Sequence, residues 1–364
     1  MTRSKFYIAP LCDLPYNWVS PTLPVKKFPD TNAQCSLLSG FPCVFCTPAF
    51  FHGIIPVITP PKKHEEYKAM KNVNAYTGPQ RFAHRGLVQA APENTLGAFQ
   101  GAVDGGYEGI EIDVQMTRDG EIVIAHDSNF TRMTLGHPDG GSNRRIRDLT
   151  WDEIQKIELP YANHLLSEAP PEHSEIELLA TLPKLVMGQV EGRDYETALA
   201  EDGRMAHLMR FSDFDAWLTA QSRSITVEVE VKAPGLAGPI LELLSRSPNT
   251  GSYILFSGDP VYVEEMQAAV RKNGKPTGLR MGANMRHLTE ENKRMIPNMD
   301  LFEVGLNADA FTCEDVRWLG DHGIYVLSNL GDHPDWWEKM VTRGVLGFKT
   351  NYAAAYTSWW NSRH

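Results

Sequence analysis

Apolar residues along this chain follow two rhythms that alternate from about residue 81 onward. Nine short stretches read as strands: 81–86, 109–114, 121–127, 224–232, 253–257, 277–281, 301–306, 324–329 and 345–349. In Gly109-Ile-Glu-Ile-Asp-Val114 the period is two, so Ile110, Ile112 and Val114 fall on one face and Glu111 and Asp113 on the other. Between strands the spacing turns helical. Leu96, Phe99 and Val103 make one side of a helix over 94–105, and Thr150 caps another over 150–157. Strand and helix in alternation are the pattern of an α/β fold, and the length suits one (β/α)8 barrel with its chemistry at the strand C-terminal ends. Nine strands for eight places leave one outside. The departure falls at Asp119-Gly120, which reads as a tight turn folding 121–127 back along 109–114.

Two segments lack the rhythm. Residues 1–77 are proline-rich, hold four of the five cysteines, and include a stretch, 31–61, with no acidic, lysine or arginine side chain. Pro42, Pro48 and Pro56 interrupt that stretch, and an interior proline costs a helix roughly 3 kcal/mol, so no transmembrane span is expected. The expectation is an extended N-terminal arm packed on a barrel of residues 78–364. Cys12, Cys35, Cys43 and Cys46 present the thiols of a four-cysteine zinc site, but apolar Val44 and Phe45 fit buried reduced thiols better. Residues 160–208, with Pro170-Pro171, read as a long insertion.

Composition adds little to the fold but narrows the partners. With 364 residues, 42% hydrophobic and 22% charged, the chain can bury a sizeable core. A net charge of −10 argues against nucleic acid, so any anionic ligand must meet a local positive spot. An odd number of scattered cysteines and no recognisable signal peptide point to a cytoplasmic protein.

The candidate chemistry gathers in residues 81–127. Two carboxylates, Glu111 and Asp113, aimed at one spot suggest a divalent cation, Mg2+ or Ca2+. Counting out from the Asp119-Gly120 turn brings His126 roughly level with Asp113. Upstream, the first strand ends in His84-Arg85-Gly86, where glycine lets backbone approach a ligand. Later, Glu228, Glu230 and Lys232 share one strand face. Of the aromatic groups His333, Trp336, Trp337 and Trp359, Trp360, core packing is the expected use.

The blocks His84-Arg85-Gly86, Pro92-Glu93-Asn94-Thr95-Leu96, Ile110-Glu111-Ile112-Asp113-Val114, Thr117-Arg118-Asp119-Gly120 and His126-Asp127, in this order, resemble the glycerophosphodiester phosphodiesterase family. Val229-Glu230-Val231-Lys232 looks like its Glu-x-Lys strand. Residues 344–352 look like its last strand, with Asn351 and Ala353 where Thr-Asp-Tyr-Pro is usual. The resemblance spans about 78–356. It implies a phosphoric diester hydrolase acting on a small phosphodiester, possibly one carrying a sugar. Glu111, Asp113 and Glu230 are then metal ligands, with Glu230 preferred to Glu228, and His84 and His126 are the acid–base pair. Arg85 and Lys232 would hold phosphate oxygens, and Glu93 and Asn94 would stand behind His84, Asn94 equally as a helix cap. Two alternatives remain: a phosphoryl-transferring synthase of a sugar phosphodiester, similar to agrocinopine synthase, and a non-catalytic phosphodiester-binding barrel.

Overall fold

In the computed structural model of the chain, residues 78–137, 142–161 and 203–363 are described. The first strand, β1 (Gln80–His84), lies parallel to β2 (Gly109–Met116), and β2 lies parallel to β6 (Thr226–Val231). From β6 the ladder runs through β7 (Tyr253–Phe256), β8 (Arg280–Arg286), β9 (Glu303–Leu306), β10 (Tyr325–Ser328) and β11 (Gly347–Thr350), and β11 pairs back onto β1. Those eight parallel strands close a barrel, which is the expected (β/α)8 architecture. The ninth candidate is β3 (Ile122–Ile124), antiparallel to β2 and outside the closed ring.

Helices α1 (Leu96–Asp104), α2 (Trp151–Ile154), α3 (Phe211–Thr219), α4 (Ala237–Arg246), α5 (Pro260–Asn273), α6 (Glu290–Met295), α7 (Cys313–Asp321), α8 (Pro334–Arg343) and α9 (Ala353–Asn361) fall between and after the strands. The period-two pattern explains how they pack. Ile110, Ile112 and Val114 of β2 and Val227, Val229 and Val231 of β6 point outward and are buried in one core with Phe99, Phe214, Ile240 and Leu244 from the helices. Thr150 caps α2 in a reciprocal box with Glu153, as its sequence signals. Trp337 meets Tyr356 edge-on at 5.4 Å and Trp359 at 5.8 Å, so these aromatics fasten α8 to α9. None of the described helices is long and apolar enough to cross a membrane.

Inside the barrel the side chains are layered. Phe82, Ile254 and Leu327 form an apolar plug. Above it lies a buried ionic layer: Lys349 Nζ is 2.8 Å from Glu228 Oε1, and Glu303 is buried beside them. The candidate catalytic residues lie above that layer.

Three local expectations are corrected. The strand expected over 277–281 begins three residues later, because Pro276 to Gly278, the latter at φ +89°, make a turn closed by the Leu279 N–H on the Pro276 carbonyl. The helix expected from Asn94 begins at Leu96, since Asn94 is left-handed at φ +57°. The 117–121 turn is a three-residue loop, with the Thr117 N–H on the Glu121 carbonyl and Gly120 at φ +87°. The ladder therefore pairs Val114 with Ile124 and puts Ala125 level with Asp113, one residue short of His126.

The N-terminal arm and the four cysteines in it lie outside the described residues, as does most of the 160–208 insertion. Its two ends are described: β4 (Glu158–Pro160) pairs antiparallel with β5 (Met205–His207), so the chain leaves and returns at one place.

Candidate active site

The β2 register sets the site. His84 at the end of β1 is level with Glu111, and Asp113 is level with Glu230 on β6. Side chains at paired positions on adjacent parallel strands share a face, so three carboxylates converge. One oxygen from each of Glu111, Asp113 and Glu230 lies within 4.8 Å of the others, a group able to hold a metal ion. Glu228 sits one layer down and is occupied by Lys349, which leaves Glu230 as the β6 carboxylate at the cluster.

β1 ends at the level of Glu111, and β3 takes over the same edge of β2 from Val114 onward, running the other way. His84 and His126 thus arrive along one edge from opposite directions. His84 is buried, and its Nδ1 is 2.9 Å from Asn351 Oδ1. Asn351 Nδ2 donates to Asp332 Oδ2 at 2.6 Å, which fixes the amide with its oxygen toward the imidazole. Nδ1 therefore carries the ring proton and Nε2, 3.9 Å from Glu111 Oε2, is an open acceptor. Burial, with the Arg85 charge adding to it, pushes the His84 pKa well below the ordinary value. His126 is half-exposed, and its Nδ1 is 2.7 Å from Asp127 Oδ1. Burial would raise the Asp127 carboxyl, but hydrogen bonds from His126 and Arg132 outweigh it and hold the group below the usual range.

Arg85 and Asn94 both adopt left-handed backbone at φ +57°, uncommon for residues with a Cβ and typical of strained functional sites. In that conformation the Arg85 N–H donates to Glu111 Oε2 at 3.1 Å and its carbonyl accepts from the Asn94 N–H at 2.9 Å. Asn94 Nδ2 then donates to Asp113 Oδ2 at 3.0 Å, so Asn94 orients a carboxylate and does not cap α1. The space opposite Gly86 is filled by Ala98 of α1, where a Cβ would lie 2.7 Å from the Ala98 carbonyl carbon; the close approach is to a helix, not to a ligand.

Arg85 and Lys232, the expected phosphate-binding cations, both lie against carboxylates of the cluster. The Arg85 guanidinium lies 2.9 Å from Glu93 Oε1 and 3.3 Å from Asp113 Oδ2, which leaves it bracing carboxylates. Lys232 Nζ is 3.1 Å from Glu230 Oε2 and 3.6 Å from Asp113 Oδ1, at the edge of the cluster. Arg132, to which no sequence block pointed, bridges Glu93 (2.7 Å) and Asp127 (2.6 Å). One chain of charges thus runs from His126 through Asp127, Arg132, Glu93 and Arg85 to Asp113.

The cluster's electrostatics fit a cation. Burial together with repulsion from Asp113 and Glu230 raises the Glu111 carboxyl well above its ordinary pKa. Burial would raise Asp113 as well, but Arg85 and Lys232 hold it low. Asp113 Oδ1 is buried without a hydrogen-bond partner. Three hard carboxylate oxygens within 4.8 Å of one another, one of them with no hydrogen bond, suit a divalent cation.

Residues 84–232 match the model of the glycerophosphoryl diester phosphodiesterase family. The chain is 42% identical over 76 residues to a glycerophosphodiester phosphodiesterase of Caldanaerobacter subterraneus subsp. tengcongensis, covering 21% of this chain and 29% of the relative. It is 41% identical over 90 residues to glycerophosphodiester phosphodiesterase 1 of Homo sapiens, covering 25% of each. The alignments thus span less than a third of these curated relatives' length. Among solved structures, an Oleispira antarctica phosphodiesterase in complex with the product sn-glycerol-3-phosphate superposes with a TM-score of 0.57 at 18% identity, covering 78% of this chain and 97% of that one. A glycerophosphodiester phosphodiesterase of Agrobacterium tumefaciens gives 0.52 at 15% identity, covering 77% and 99%. At these identities the likeness is one of fold.

Proposed function

We propose, on the premise that this chain belongs through residues 84–232 to the glycerophosphodiester phosphodiesterase family, that it is a metal-dependent phosphodiesterase that cleaves small glycerophosphodiesters. The observation that carries this reading is the meeting of Glu111, Asp113 and Glu230 within 4.8 Å beside the open Nε2 of His84.

A phosphodiester is anionic and its alkoxide is a poor leaving group, so cleavage needs charge neutralisation, an activated nucleophile and a proton donor. Glu111, Asp113 and Glu230 would hold Mg2+ or Ca2+, which supplies charge neutralisation at the non-bridging oxygens. Lys232, at the cluster's edge, adds a cation that can turn from Glu230 to a phosphate oxygen. Arg85 keeps Asp113 and Glu93 in place, and Asn94 orients Asp113. His84, kept neutral with its proton on Nδ1, takes a proton at Nε2 from the attacking hydroxyl, whether of water or of the substrate. His126, its Nδ1 held by the Asp127 carboxylate, delivers a proton from Nε2 to the departing alcohol oxygen.

The test is phosphorus NMR of the protein incubated with a glycerophosphodiester and Mg2+ or Ca2+, with and without chelator and with excess free sugar. The expected result is a phosphomonoester formed only with metal. Unchanged diester under every metal condition would leave a binding barrel, and a new sugar phosphodiester would establish a transferase.

A further inference from the structure

Eight parallel strands give the barrel two mouths, and the carboxylate cluster faces the one at their C-terminal ends. The opposite mouth carries an apolar patch. Tyr325 begins β10, while Phe302 and Leu346 immediately precede β9 and β11. Backbone bonds set them side by side: the Tyr325 N–H donates to the Phe302 carbonyl at 2.9 Å, and the Leu346 N–H to the Val326 carbonyl at 2.9 Å. The Phe302 and Tyr325 rings lie 5.0 Å apart, and the Arg280 guanidinium lies over the Phe302 ring at 5.0 Å. Phe302 and Leu346 pack inward on the plug of Phe82, Ile254 and Leu327, yet both are only partly buried, and Tyr325 is 48% exposed. The plug therefore continues outward to solvent at this mouth. Leu96, Val261 and Met295, the other exposed large apolar side chains among the described residues, sit on helices outside the barrel.

The chain enters the described fold at this same place. Gln80, the first residue of β1, donates its N–H to the Leu346 carbonyl at 2.9 Å, so residues 1–77 join the barrel beside the patch. They contain the 31–61 stretch, which has no acidic, lysine or arginine side chain and sets Phe41, Phe45, Phe50 and Phe51 among prolines. The link from 62 to 77 spans at most about 55 Å, enough to reach any point of the mouth. A covalent link of that kind gives an effective concentration on the order of millimolar, which a separate partner lacks. The chemistry matches as well. Proline-rich segments dock on aromatic surfaces, and a segment without lysine or arginine meets no like charge at Arg280.

We infer that residues 31–61 of this same chain cover the patch of Phe302, Tyr325 and Leu346 and so close the barrel mouth opposite the candidate active site. The inference is independent of the phosphodiesterase reading. It gives two apolar surfaces one shared burial, where each alone would face water. It also leaves the catalytic mouth open to substrate.

The test uses the full chain with p-benzoylphenylalanine in place of Tyr325, irradiated as an equal mixture of nitrogen-14 and nitrogen-15 protein and then digested for mass spectrometry. The expected product joins the Tyr325 peptide to one from 31–61, with both halves carrying the same isotope. The same photoresidue in place of Val261, 69% exposed on α5, should not capture that peptide. Hydroxyl-radical footprinting of the unsubstituted chain gives a reading that no substitution can disturb: Tyr325 should be protected several-fold more, relative to Val261, than exposures of 48% and 69% alone would give. Mixed-isotope products would make this face a contact between two copies and overturn the inference. It is equally overturned by the absence of any product with 31–61, by the same product from both positions, or by Tyr325 labelling in proportion to its exposure.

Discussion

Glu111→Gln should abolish metal-dependent activity and at the same time make the metal-free protein more stable. Glu111 is buried with oxygens of Asp113 and Glu230 within 4.8 Å, and two unit charges at that distance repel by roughly 3 kcal/mol at an effective dielectric constant of 20. Arg85 and Lys349 cancel part of this, so the gain expected on neutralising Glu111 is about 1–3 kcal/mol at neutral pH. The isosteric amide still accepts the Arg85 N–H. The sign of the pH dependence follows from the raised carboxyl. In the wild type, stability is fully present below the unfolded pKa of about 4.3 and is lost as pH rises through the higher folded value. The variant lacks that loss, so the two should converge below about pH 4 and diverge above it. Urea unfolding in chelator at several pH values measures the difference. Saturating Mg2+ or Ca2+ should then stabilise the wild type, by about 2.7 kcal/mol at a hundred times Kd, and not the variant. A variant destabilised by more than about 1 kcal/mol in chelator, or one that keeps the metal-induced gain, would refute the reasoning.

Lys349→Met leaves buried Glu228 without its 2.8 Å partner, a change expected to cost about 3–5 kcal/mol, and adding Glu228→Gln should recover most of it; both are read by denaturant midpoints. His84→Gln and His126→Asn should each lower kcat by about 10²–10⁴ while metal affinity, followed by calorimetry, stays within a few-fold of the wild type. Asp127→Asn removes the carboxylate behind His126 and should slow diesters with poor leaving alcohols much more than those releasing nitrophenol, whose departure needs no proton.

Much of this site was legible before any coordinates, because strand alternation assigns faces without tertiary information. Glu111 and Asp113 share a face by period two; Glu228 and Glu230 share one as well, and the resemblance to the family's Glu-x-Lys strand is what singles out Glu230. Sequence brings His126 roughly level with Asp113 but leaves the exact register open, since a two-residue and a three-residue loop both fit Thr117-Arg118-Asp119-Gly120 and only the backbone bonds distinguish them. Sequence shows a cation, Arg85, beside the site but not the Glu93 carboxylate that engages it. Arg132 with Glu93, and Asp332 with Asn351, come from separate segments whose meeting depends on the tertiary fold. Lys349 alone carried a signal: a lysine inside an otherwise apolar strand, with Glu228 and Glu303 on inward positions of other strands, marks a buried ionic layer.

Glu111, Asp113 and Glu230 are proposed to hold one divalent cation at which a phosphodiester is cleaved. A crystal of the full chain grown with Mn2+ and glycerol 3-phosphate, with anomalous scattering recorded at the manganese edge, tests it most directly. One strong peak is expected at roughly 2.0–2.6 Å from an oxygen of each of the three carboxylates, touching the phosphate. A peak that excludes Glu230, or phosphate bound elsewhere with no ion at the cluster, would contradict it.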